Sequence, residues 1–118
     1  MLATFSNESK IARELEELDC SGNAFAEICG IVGRTRMAQG LKGEKDFDQG
    51  DAERMFRTLA EMRELRSMSA LPLDWTDCEG IRRALEERRG AKRILEDVMR
   101  VVNEMQRVNR ILRGHTDV

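Results

Sequence analysis

Residues Phe25 to Gly43 read FAEICGIVGRTRMAQGLKG. The stretch Ala24 to Val32 is apolar at helical spacing, and Gly30 and Gly33 fall near its end. Arg34 to Leu41 follows as a second short helix, closed by Gly43. Upstream, Ile11, Leu15 and Leu18, with Ala12 beside them, predict a helix from Glu8 to Asp19 that Ser6 or Asn7 can cap. Ser21-Gly22-Asn23 breaks it. Downstream, Glu44 to Gly50 is polar and loop-like, with Phe47 as its one anchor. A fourth helix is expected from Asp51 to Ser67, carrying Ala52, Met55, Phe56, Leu59, Met62 and Leu65 on its apolar side.

The only proline falls within Ser67 to Thr76, which is read as a boundary. Thr76 and Glu79 have the spacing of a capping box, so a long helix is expected from Asp77 to about Leu112. Gly90 sits inside it and leaves open a hairpin or kink. A heptad register places Ile81, Arg88, Leu95, Val102 and Asn109 in one column. Ala84, Ala91, Val98, Met105 and Leu112 form the other, and Leu85, Ile94, Val101 and Val108 widen the face. Leu95, Val98, Val102, Met105 and Leu112 are therefore the candidates for a dimer or partner seam, and Asn109 is of the type that fixes register. The expected organisation is a domain over 1–68, a linker over 69–76 and a helical extension over 77–118. The whole chain is expected to be all-α.

Composition sets limits. The 118 residues are 41% apolar and 36% charged, with 20 Lys+Arg against 22 Asp+Glu. That balance suits one ordinary foldable domain, or a small domain with an extension, and argues against coating nucleic acid along the whole chain. With no Tyr, one Trp and four Phe, an all-β domain is disfavoured. No apolar run reaches membrane-span length, and residues 1–6 lack the features of a secretory signal, so no membrane association is expected. Cys20, Cys29 and Cys78 are odd in number and lack metal-type spacing, which predicts reduced thiols, no metal and a cytoplasmic location. The single His115 lies among polar residues near the end of the chain and is read as part of a solvated tail. No phosphate-cradling glycine loop has the strand context it needs, and one histidine cannot build the usual nucleophilic sets, so neither an enzyme nor a cofactor is expected.

The stretch Phe25 to Gly43 resembles the helix-turn-helix of the lambda-repressor-like (Cro/repressor, XRE-type) DNA-binding family. The resemblance implies a small residue at the helix crossing, Ala26, and a left-handed turn glycine four residues on, Gly30. Phe25, Cys29 and Ile31 would flank that turn, Met37 would anchor the second helix, and Leu41 would follow. It covers about residues 6–68. One departure stands out: Gly30 to Met37 is seven where the family usually has six, so the turn carries an extra residue that Gly33 can absorb. The family implies that the helix from Arg34 to Leu41 enters the major groove of double-stranded DNA. Thr35, Arg36 and Gln39 would then lie nearest the bases. Segment 71–75 with its basic helix also looks similar to tails of small phage-encoded proteins.

The chemistry of the second helix agrees with that expectation. Arg34, Arg36 and Gln39 are residue types that grip purine edges, while Thr35, Lys42 and Lys45 suit phosphates. Between Gly30 and Lys45 there are four basic residues and one acidic, a local reversal of the chain's overall sign. The long helix mixes both signs, as a solvated face with pairs such as Glu79–Arg83 and Glu96–Arg100 would. Trp75 reads as a core plug. The leading expectation is a sequence-specific transcriptional regulator of phage or bacterial type, dimeric through the long helix. The alternative is a protein-binding inhibitor or adaptor on the same scaffold, directed for example at a CRISPR effector, or an antitoxin-like protein whose long helix covers a toxin.

Overall fold

A computed structural model describes residues 6–116 of the chain. The amino-terminal stretch read for a signal and the side chain of His115 lie outside the described residues. The fold is all-α. Helix α1 is Asn7–Leu18, α2 is Gly22–Cys29, α3 is Arg34–Leu41, α4 is Gln49–Met68 and α5 is Cys78–Thr116. The chain forms two units, Met1–Leu85 and Glu86–Val118.

The first unit is built on capped helices. Ser6 caps α1 by accepting the Ser9 N–H at 3.2 Å. Ile11, Leu15 and Leu18 form its buried face. At its end Asp19 turns left-handed (φ 56°), so that Cys20 N–H reaches the Leu15 carbonyl and Asp19 N–H reaches Glu16. Ser21 caps α2 through the Ala24 N–H at 3.1 Å. Helix α2 packs on α3, and α1 packs on α2, α3 and α4. The largest side chains fully removed from water are Ile11, Phe25, Met37, Met55, Leu59, Met62 and Leu85.

That last residue corrects the expected boundary. The linker drawn over 69–76 lies inside the first unit. Trp75 is buried, and its indole N–H donates to the Leu18 carbonyl at 2.8 Å. Arg66 donates to the neighbouring Glu17 carbonyl at 3.0 Å. Both satisfy carbonyls at the end of α1, where the helix itself offers no donor. Cys78, Ile81 and Leu85 then add the first turns of α5 to the same core. The single proline marks a local bend in the backbone, and the buried Trp75 carries the core past it.

The expected capping box is also corrected. Helix α5 begins at Cys78, and Asp77 caps it by accepting the Gly80 N–H at 3.2 Å. Thr76 donates its hydroxyl to Asp74 and accepts no helix N–H. A Cβ at Gly80 would lie 2.2 Å from an Asp77 carboxylate oxygen, so a larger residue there would make the Asp77 side chain shift.

The second unit belongs to α5, which is continuous through Gly90. A hairpin at that glycine is thereby removed. Arg83 pairs with Glu79 at 3.7 Å, but Arg100 pairs with Asp97 instead of Glu96. No helix among the described residues is long and apolar enough to cross a membrane.

Candidate nucleic-acid interface

Gly30 ends α2 with φ 63°, a conformation that side chains with a Cβ rarely adopt. Its N–H donates to the Ala26 carbonyl at 3.0 Å. Ala26 and Phe25 are buried, as is Met37 on α3, and α2 packs on α3. Gly33 precedes α3 in extended backbone and offers no side-chain cap. The first N–H groups of α3 therefore have no capping oxygen from the residue before them.

The far end of α3 is closed by a left-handed Gly43 (φ 77°). Glu44 N–H reaches the Gln39 carbonyl at 2.9 Å, and Gly43 N–H reaches Gly40 at 3.0 Å. Three groups then hold the loop that follows. The Arg36 guanidinium donates to the Lys45 carbonyl at 3.2 Å and to the Asp46 carbonyl. It also lies over the Phe47 ring, 5.0 Å from its centroid. The Glu8 carboxylate accepts the Phe47 N–H at 2.6 Å. The Phe47 ring fits against Gly40, where a Cβ would come within 2.1 Å of the ring.

These contacts sort the expected site residues. Arg36 is half-buried and occupied by the loop, so it is reassigned from base contact to holding Lys45 and Phe47 in place. Arg34 is exposed and pairs with Glu27 on α2. Thr35, Lys42 and Lys45 are exposed, and Gln39 is half-buried. Thr35, Gln39 and Lys42 stand at i, i+4 and i+7, which places them on one face of α3. Arg34 is one position off that column, and Lys45 lies in the loop beyond it.

Glu8 has a part that the sequence reading missed. It is buried, and burial pushes its carboxyl pKa up, but hydrogen bonds from the Phe47 and Glu8 N–H groups and from Ser6, with the nearby Arg36 charge, bring it below the ordinary 4.5. The signal was present, since Glu8 falls in the same helical column as Ile11, Leu15 and Leu18.

The α5 candidates are all exposed, from Val102 at 38% to Leu95 at 61%. Ile94, Val101 and Val108 are exposed beside them, and so are Met99 and Ile111, which the sequence reading did not name. Cys20, Cys29 and Cys78 are free thiols. Burial pushes the Cys20 thiol up to about 11. No family model, curated protein or solved structure matches the chain.

Proposed function

We propose that the chain is a sequence-specific DNA-binding protein, a transcriptional regulator of phage or bacterial type, that uses α3 as its contact helix. The observation that carries this reading is the face of α3 formed by Thr35, Gln39 and Lys42, with Arg34 at its start and Lys45 beyond its end. The face starts at helix N–H groups that no side chain caps, which favours phosphate oxygens. Gln39 then has the chemistry for adenine, Arg34 for guanine, and Lys42, Lys45 and Thr35 for the backbone. The Arg34–Glu27 pair does not oppose this, because an exposed ion pair is weak and exchanges readily for a phosphate. Free thiols at Cys20, Cys29 and Cys78 fit work in a reducing cytoplasm.

The test is selection from random duplex oligonucleotides. The expected outcome is an enriched motif bound in the nanomolar range and retained at physiological salt. No enrichment, with weak binding that salt abolishes, would leave α3 as scaffold alone.

A second reading, an inhibitor or adaptor acting on a protein partner, draws on a different observation. Arg36 is committed to the loop, which takes one cation from the surface that DNA would meet. Under that reading Gln39→Ala and Lys42→Ala leave activity intact.

A further inference from the structure

We propose that the exposed apolar face of α5 over residues 94–112 is the interface of a parallel, in-register homodimer, its occupant being the same face of a second copy of this chain. This inference stands on the second unit alone and does not depend on the DNA reading.

The spacing comes first. Leu95, Val98, Val102, Met105, Asn109 and Leu112 alternate three and four residues apart, the spacing of a two-helix seam. Ile94, Val101 and Val108 broaden it on one side. Every one of these side chains is exposed, Ile94 at 67% and Met105 at 60%. A monomeric protein rarely leaves so continuous an apolar stripe in water.

The size of the face points to a second copy. Together these side chains offer on the order of 800 Å² per chain, which is what one partner contributes to a standard stable interface. Two copies of this one face therefore suffice, with no further surface required.

One amide sets the direction. Asn109 falls within the face, four residues after Met105 and three before Leu112. Only in parallel register does it meet its own copy, where each amide donates to the other and accepts from it. Antiparallel packing would bury it against apolar side chains with no partner.

The test is sedimentation equilibrium of the full chain at micromolar concentration. The expected mass is twice the 13.5 kDa of one chain. The double variant Val98→Glu/Met105→Glu should halve it while leaving the emission of buried Trp75, in the first unit, unchanged. Under mild oxidation Val98→Cys should cross-link two chains, and Asn103→Cys, on the opposite side of the helix, should not exceed the wild-type background. A monomeric wild type, a trimer or larger species, a double variant that stays dimeric, or a Val98→Cys that fails to cross-link would each overturn the proposal.

Discussion

The Glu8 carboxylate accepts the backbone N–H of Phe47 at 2.6 Å, tying α1 to a loop 39 residues away. Phe47 in turn carries the Arg36 guanidinium on its ring and fills the space beside Gly40. The loop that presents Lys45 is thus held by a buried carboxylate, a stacked cation and a ring. Glu8→Gln replaces a charged acceptor with a neutral one and should cost about 1–2 kcal/mol at pH 7. The carboxyl is held below its ordinary 4.5, so its contribution is fully present above that value and is lost as pH falls through the lower folded value. Denaturant melts of wild type and Glu8→Gln should differ at pH 7 and converge in acid. A gap that stays constant with pH would show that ionised Glu8 does not stabilise the fold.

Trp75 should behave as core. Trp75→Ala removes a buried aromatic and is expected to cost about 3–5 kcal/mol. Trp75→Phe keeps most of the ring but leaves the Leu18 carbonyl without its donor, for about 1 kcal/mol. A chain ended at residue 68 lacks Trp75, Cys78, Ile81 and Leu85 and should fail to give a cooperative thermal transition, whereas one ended after residue 90 should melt cooperatively.

These residues also mark how far the sequence could be read. Helix α3 runs from Arg34 to Leu41 as expected, because glycines flank a short segment with no competing signal. Ser6 and Gly30 act through local geometry that residue type alone announces. Trp75 reads as a plug from its type, but its partner is the Leu18 carbonyl, 57 residues away, so the extent of the first unit was hidden. At the start of α5, Thr76 and Asp77 can each cap a helix; the Asp77 carboxylate accepts the Gly80 N–H, while Thr76 turns its hydroxyl to Asp74. Arg36 looks like a base-reading residue until the loop folds back under it, a contact that no spacing rule anticipates. The apolar face of α5 was legible throughout, since it follows from helical periodicity alone.

Two glycine substitutions should have opposite signs. Gly40→Ala drives a Cβ into the Phe47 ring, at 2.1 Å, and should cost about 1–3 kcal/mol as the ring and the Lys45 loop shift. Gly90→Ala meets nothing within 4 Å inside a continuous helix and should stabilise α5 by about 1 kcal/mol. Circular-dichroism melts of both variants beside wild type read the difference directly. Equal shifts in the same direction would contradict it.

Arg36 and Lys42 should separate stability from contact. Arg36→Ala should lower the melting temperature by loosening the loop, with Arg36→Lys only partly restoring it because a point charge cannot serve both carbonyls and the ring. Lys42→Ala is exposed and should leave the melt within about 0.5 kcal/mol of wild type. If Lys42→Ala unfolds the protein as readily as Arg36→Ala, the division of roles drawn on α3 is mistaken.

The most direct test of the DNA reading is the salt dependence of duplex binding, followed by fluorescence anisotropy for wild type, Lys42→Ala and Lys45→Ala. Each lysine that touches a phosphate contributes about one unit to the slope of log affinity against log salt. Wild type should bind with a steep slope, and each variant should weaken binding and lower the slope by about one. Absent binding, or slopes unchanged in both variants, would contradict a DNA-facing α3.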